Sequence, residues 1–185
     1  PSAPVDPLFL KRWSIRAFSD APVDDQTLAS IFEAARWAPS ANNDQPWLFL
    51  YATRPGDLER FRDLLDPGNR RWAERAPVLA FVCTRLHTFR RGRPNRWAEF
   101  DAGAAWMALA LQARRHDLYT HAMGGFDAER AYDVLGLPRD EWRVMAAVAI
   151  GYAGDPSTLP EDLAAREVPT TRKPVAAVAH EGPLP

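Results

Sequence analysis

Residues 36–47 read RWAPSANNDQPW, and this stretch joins an amphipathic segment to an apolar one. Five hydrogen-bonding side chains stand between its two prolines, and they belong to Ser40, Asn42, Asn43, Asp44 and Gln45. A plain connecting loop needs only residues that suit a turn. So many polar groups predict a loop that holds something else in place.

Length and composition predict one globular domain, residues 1–185. The chain has 46% hydrophobic and 25% charged residues, which is ordinary for a domain with its own core. The formal net charge of -1 gives no overall signal for nucleic acid. No apolar run is long enough to cross a bilayer and no signal peptide is recognisable, so we expect no membrane partner and a cytoplasmic location.

Few side chains could do chemistry unaided. The single cysteine, Cys83, lies in the apolar run PVLAFVCT, which favours a small buried residue over a reactive thiol. The four histidines lack metal-ligand spacing, and no Gly-x-Ser-x-Gly motif is present. We therefore expect no metal site and no catalytic side chain, and an enzyme with this sequence would take its reactive group from a cofactor.

Hydrophobic periodicity predicts alternating helices and strands. Asp24 or Asp25 can cap a helix that runs to about Trp37. Further helices are predicted at 97–115 and after Asp127. Short apolar runs predict strands at residues 47–53, 77–84, 118–123 and 144–152. This alternation is typical of the α/β or α+β class.

Two segments require something to pack against. The helix at 97–115 carries Phe100, Ala104, Met107 and Leu111 on one face and is apolar nearly all round, so it lies in a large core or against a partner subunit, which we favour. The tail from about 155 to 185 is proline-rich and has little apolar pattern. It must lie on its own body or on a second chain.

Three short motifs could bind a ligand. The segment Arg12-Trp13-Ser14-Ile15-Arg16 and the late pair Arg172-Lys173 offer donors that suit a phosphate. Gly124-Gly125 lie between a strand and a helix cap, where backbone N–H groups can approach a ligand closely. Taken singly, each motif is better explained as a solvated patch or an ordinary turn.

The order of these motifs resembles the flavin-dependent nitroreductase family throughout the chain. The elements are Arg-x-Ser-x-Arg-x-Phe, Pro-Ser-x-x-Asn-x-Gln-Pro-Trp, Gly-Gly-Phe-Asp, Ala-Ile-Gly-Tyr-x-Gly-Asp and Arg-Lys-Pro. The resemblance implies an α+β fold with a central, mostly antiparallel sheet flanked by helices. It also implies an intertwined homodimer with two FMN sites at the subunit interface, and a tail that packs on the partner.

The resemblance also implies which residues bind the cofactor. The FMN phosphate would be held by residues of the two basic motifs, namely Arg12, Trp13, Ser14, Arg16, Arg172 and Lys173. The flavin ring would lie against Met123, Gly124 and Gly125, at the end of a predicted strand, and against Asn69. The 36–47 stretch would reach the partner's cofactor through Pro39, Ser40, Ala41 and Asn43.

The activity implied is an FMN-dependent oxidoreductase. NADH or NADPH would reduce the flavin, which would pass hydride to a nitroaromatic, quinone or related small acceptor by ping-pong chemistry. Two alternatives stay open: a specialised enzyme of the same fold, acting by reductive dehalogenation or flavin fragmentation, and a non-enzymatic flavin-binding dimer.

The segment 85–96 is short where some relatives carry a lid, and Gly124 stands at a position that is often acidic. The arginines at 90, 91 and 93 favour either the extra phosphate of NADPH or an ordinary solvated loop.

Overall fold

A four-stranded antiparallel sheet forms the centre of the protein. The computed structural model describes residues 1–183. The strands are β1 (Trp47–Ala52), β2 (Val78–Arg85), β3 (Leu118–Met123) and β4 (Trp142–Tyr152), and their order in the sheet is β1-β2-β4-β3. All four lie within two residues of the strands that the sequence predicts.

Seven α-helices surround this sheet. They are α1 (Pro7–Lys11), α2 (Asp25–Arg36), α3 (Pro55–Arg62), α4 (Pro67–Ala73), α5 (Ala98–Arg115), α6 (Ala128–Leu135) and α7 (Glu161–Ala164). Asp24 caps α2 as predicted, because its carboxylate accepts hydrogen bonds from the backbone N–H and the hydroxyl of Thr27 at 2.8 and 2.7 Å. Asp127 caps α6, and Gly136 ends it in the left-handed conformation.

Each face of the sheet has its own core. On one face, Phe81 and Cys83 pack with Trp72 of α4 and with Phe18. On the other face, Val148 and other strand residues pack under α2 and α5. Burial raises the pKa of the Cys83 thiol to about 12, which agrees with the prediction of a structural cysteine.

Helix α5 buries a face of small residues. Ala102, Ala105 and Ala113 are buried against the sheet and α2, because alanine lets the helix approach closely. The bulkier face of α5, which the sequence pattern predicts, points away from the core. Phe100 is 77% exposed there, and Ala104, Met107 and Leu111 are half-buried. A bulky apolar face is thus left uncovered within one chain.

The first part of the tail packs on the body of its own chain. Leu159 and Leu163 are buried in the core that contains Phe81. Residues 168–183 are exposed, so packing of this part on a partner stays a prediction. Residues 184 and 185 of the predicted tail lie outside the described residues. Nowhere in residues 1–183 is there a helix with the length and apolarity needed to cross a bilayer.

Candidate cofactor site

The N-terminal basic motif is held along the end of β4. The backbone N–H of Ser19 donates to the carbonyl of Tyr152 at 3.0 Å, and the N–H of Gly154 donates to the carbonyl of Ala17 at 2.7 Å. A Cβ added at Gly154 would lie 2.6 Å from the backbone carbonyl of Phe18. Glycine is therefore required at this crossing, which explains the second glycine of Gly-Tyr-x-Gly-Asp.

Glu167 ties the tail to the same motif. Its Oε1 accepts hydrogen bonds from the backbone N–H groups of Arg16 at 2.6 Å and Ala17 at 2.8 Å. Its Oε2 lies 3.7 Å from Nη1 of Arg16, and the side chain is only 3% exposed. The sequence analysis missed Glu167, because nothing in the local pattern links residues 151 positions apart.

The two basic motifs meet around one cavity of about 410 Å³. Trp13, Ser14 and Arg16 line it from the N-terminal side, and Arg172 lines it from the tail. Lys173 is exposed and does not line this cavity. The structure thus brings together four of the six residues predicted to hold a phosphate, whereas Arg12 does not line this cavity.

Arg12 and Arg172 are close enough for the charge of one to act on the other. Partial burial lowers the pKa of Arg12 from its ordinary value, and the positive charge of Arg172 lowers it further. Neither arginine takes part in an ion pair within the described residues. Two guanidinium groups held in this way would be stabilised by a bound anion.

His121 of β3 also lines the cavity, and the sequence analysis did not select it. Its Nδ1 lies 2.6 Å from the carbonyl of Ile15, and its ring lies 4.4 Å from that of Trp72. Burial lowers the pKa of His121 below its ordinary value. The neutral ring therefore donates from Nδ1 to the carbonyl and fixes the chain between Trp13 and Arg16.

The structure brings the glycine turn and Asn69 together. The carbonyl of Gly125 accepts a hydrogen bond from Nδ2 of Asn69 at 2.9 Å and from the backbone N–H of Asp66 at 3.1 Å. A Cβ added at Gly125 would lie 2.7 Å from Nδ2 of Asn69 and from Oδ2 of Asp66. Met123 is buried beneath the turn, whereas Gly124 is exposed with open space in front of it.

Strand β3 connects the glycine turn to the cavity. His121 lines the cavity, and Gly124 follows three residues later at the strand end. At a rise of about 3.4 Å per residue these positions lie roughly 10 Å apart along the strand. An elongated ligand with a phosphate at one end and a flat head at the other would fit this spacing.

The loop at residues 39–45 lies elsewhere on the chain. The Ser40 hydroxyl accepts a hydrogen bond from the backbone N–H of Gln45 at 3.0 Å, and the N–H of Ala41 donates to Oδ2 of buried Asp101 at 3.1 Å. Asn42, Asn43 and Gln45 have positive φ values of 53°, 56° and 50°, which is uncommon outside glycine. Among the predicted loop residues, Pro39, Ser40, Ala41 and Asn43 do not line the phosphate-side cavity of their own chain.

Comparison with known proteins gives the family. The nitroreductase family model matches residues 10–69 and 60–152. A protein of Streptomyces coelicolor, named as a candidate NADH dehydrogenase/NAD(P)H nitroreductase, is 42% identical over 168 residues, which cover 80% of this chain and 83% of the relative. A Thermus thermophilus protein named NADH dehydrogenase is 29% identical, over 79% of this chain and 85% of its own. The chain belongs to the nitroreductase family, as its motifs predicted.

Solved structures confirm the predicted fold class. A crystal structure described as an oxidoreductase containing FMN matches with a TM-score of 0.96 and 48% identity, covering 100% of this chain and 95% of the other. A candidate nitroreductase from Exiguobacterium sibiricum, solved in complex with FMN, matches with a TM-score of 0.78 over 97% of this chain and 99% of its own. At 19% identity the second match supports the α+β fold alone.

Proposed function

We propose that this protein is an FMN-dependent oxidoreductase that takes electrons from NADH or NADPH and passes them to a small acceptor. The observation that carries the proposal is the cavity lined by Ser14, Arg16 and Arg172, with the open glycine turn farther along β3. The family membership and the 48% identity to an oxidoreductase containing FMN support the same cofactor. When bound, FMN supplies an N5 atom that accepts and releases hydride.

The residues present fit the phosphate of FMN. Guanidinium groups of Arg12, Arg16 and Arg172 and the hydroxyl of Ser14 are donors that match a phosphate dianion. The cavity volume of about 410 Å³ falls within the roughly 300–1,000 Å³ of small-molecule sites. Lys173 would join them from the exposed tail. Trp13 supports the motif through an edge-on contact with Tyr119, with ring centroids 6.2 Å apart.

The glycine turn would receive the flavin ring. Gly124 has no side chain and faces open space, so a flat ring can lie close to its backbone. Asn69 holds the carbonyl of Gly125, which fixes the direction of the neighbouring N–H groups. Buried Met123 supports the turn from below. These residues orient the cofactor, and no side chain of the site is assigned as an acid or base.

The 39–45 loop and the apolar side of α5 support a homodimer. Pro39, Ser40, Ala41 and Asn43 would reach the cofactor of a second copy, because in their own chain they do not reach the phosphate cavity. An apolar groove of about 180 Å³ beside α5 includes Trp106 and Met145. Together with exposed Phe100, this groove forms a surface suited to a second copy of the chain.

Nitroaromatics and quinones are the acceptors that we propose.

An absorbance spectrum of the purified protein tests the proposal. We expect a yellow protein that NADPH or NADH bleaches under anaerobic conditions and that a quinone restores. Chemical reduction by dithionite is the control that shows the flavin itself is reducible. A colourless protein that does not bind added FMN would refute the cofactor assignment. A flavin that dithionite bleaches and neither nucleotide does would refute the oxidoreductase activity.

A further inference from the structure

A second cavity, of about 210 Å³, lies between the 39–45 loop and the segment that follows β2. Ala41 and Asn42 line it from the loop. Arg90, Arg91 and Trp97 line it from the other side. The cavity therefore adjoins the residues that the proposed function places beside the flavin of a second copy, and its opposite wall is basic and aromatic.

The basic wall is a structured hairpin, which we call the basic hairpin (residues 85–96). The N–H of Thr88 donates to the carbonyl of Arg93 at 2.8 Å, and Gly92 turns the chain with a φ of 58°. Asp44 joins the hairpin to the 39–45 loop: its Oδ1 accepts from the N–H of Phe89 at 2.9 Å and its Oδ2 accepts from Nδ2 of Asn95 at 3.0 Å. Arg90 and Arg91 thus project from an ordered backbone.

The arginines of the basic hairpin outnumber the one carboxylate of the cavity and are not paired with it. The hairpin's four late arginines, at positions 90, 91, 93 and 96, form no ion pair within the described part of the chain. The acidic residue that lines the cavity, Asp44, already uses both carboxylate oxygens as hydrogen-bond acceptors. Unpaired guanidinium groups beside a cavity are suited to a phosphate.

Trp97 gives the same cavity an aromatic surface. Its side chain is 47% exposed although it is a large apolar residue, and the guanidinium of Arg96 lies 4.6 Å from the ring centroid. Purine bases stack on aromatic side chains of this kind. An aromatic ring beside two free arginines combines the recognition elements for a base and a phosphate of one nucleotide.

We propose that this cavity binds the adenosine 2′-phosphate end of NADPH and makes NADPH the preferred donor over NADH. This inference rests on the proposed function. A volume of about 210 Å³ is below the roughly 300–1,000 Å³ of complete small-molecule sites, so it admits one end of a dinucleotide. NADH carries a 2′-hydroxyl where NADPH carries the 2′-phosphate. Bound NADH therefore offers no anion to Arg90 and Arg91.

Steady-state kinetics of the FMN-loaded protein test the donor preference. The double variant Arg90→Ala/Arg91→Ala should raise KM for NADPH about ten-fold or more, since charge-assisted hydrogen bonds are lost. Its KM for NADH should stay unchanged. Arg93→Ala is the matched control, because Arg93 lies in the same hairpin and does not line the cavity. An equal effect on both donors, or an equal effect of the control, would overturn the inference.

Calorimetry gives a readout that does not depend on turnover. The FMN-loaded protein should bind adenosine 2′,5′-bisphosphate and bind AMP at least about ten-fold more weakly. The double variant should bind the two nucleotides equally. Absence of bisphosphate binding to the parent protein would overturn the cavity assignment. A flavin that neither donor bleaches would instead overturn the proposed function, so the two failures can be told apart.

Discussion

At the scale of single residues, the proposed cofactor site depends on groups that hold its backbone in place. Glu167 is the clearest case, since one buried carboxylate holds the N–H groups of Arg16 and Ala17. Gly125 is another, because its carbonyl receives both Asn69 and the backbone of Asp66. We expect both residues to affect FMN binding through the backbone that they hold in place.

We expect Glu167→Ala to lower the free energy of unfolding by about 2 kcal/mol, because two part-buried N–H groups lose a charged acceptor. FMN affinity should fall as well, since Arg16 and the tail lose their common anchor. Chemical denaturation and FMN fluorescence titration measure the two effects. Glu181→Ala removes the same charge from an exposed position and should change neither. Unchanged stability in the Glu167 variant would contradict this role.

Gly125→Ala should destabilise the apoprotein by about 1–3 kcal/mol, because the new Cβ would lie 2.7 Å from the side chains of Asn69 and Asp66. Gly124→Ala is the paired control, since a Cβ there meets open space. Thermal unfolding of the two apoproteins gives the comparison. If both variants melt at the parent temperature, the close approach at Gly125 is not present in solution.

The buried imidazole of His121 predicts a dependence of stability on pH. Its folded pKa is lowered, chiefly by burial, so the unfolded chain binds a proton more readily. The contribution of this group is fully present above about pH 6.5 and is lost as the pH falls below that ordinary histidine value. His121→Gln should reduce the fall in unfolding free energy between neutral and acidic pH. Parallel pH profiles for parent and variant would contradict the prediction.

At the scale of secondary-structure elements, the N-terminal turn of α5 holds the 39–45 loop. Asp101 lies in that turn, is 3% exposed and accepts a hydrogen bond from the N–H of Ala41. The positive end of the helix favours a carboxylate at this position. The loop is therefore anchored from outside at Ala41 by a residue 60 positions away, in addition to its internal bond from the N–H of Gln45 to the hydroxyl of Ser40.

Asp101→Ala should lower stability by about 1–2 kcal/mol and weaken FMN binding more than it weakens folding. The 39–45 loop would lose the hydrogen bond from Ala41 to Asp101, while α5 itself would stay folded. Asp101→Asn keeps an acceptor and should give a smaller loss. The measurement is FMN affinity at a temperature where circular dichroism shows each variant to be folded. If the Asp101→Ala protein binds FMN with the parental affinity, the loop has no role in cofactor binding.

The four strands and helices α2, α5 and α6 were predictable from sequence, whereas helices α1, α4 and α7 and several contacts were not. The cap at Asp24 and the apolar runs of all four strands are local signals, and the structure places the strands within two residues of their predicted bounds. Glu167 with Arg16, His121 with Ile15 and Asp101 with Ala41 join residues 151, 106 and 60 positions apart. Hydrophobic periodicity carries no information on such pairs. The family motifs contain one residue of each pair, namely Arg16, Ile15 and Ala41. They do not contain the partners of these residues.

At the scale of the whole molecule, the exposed face of α5 predicts that the chain functions as two copies. Phe100→Asp places a charge where a partner would bury the side chain. We expect this variant to elute at the mass of one chain and to lose FMN. Val134→Asp changes an exposed apolar residue on α6 and should leave the assembly intact. A parent protein that sediments as a single chain with FMN bound would contradict the shared site.

Because Glu167 anchors Arg16, the proposed phosphate site cannot be complete before the tail has been synthesised. During synthesis the N-terminal motif leaves the ribosome long before the tail is made, so the nascent chain holds Ser14 and Arg16 of the proposed phosphate site and still lacks Arg172. Contacts this distant in sequence form late, after the intervening chain has folded. We therefore expect FMN to bind stably only after the tail has been synthesised and Glu167 has reached Arg16.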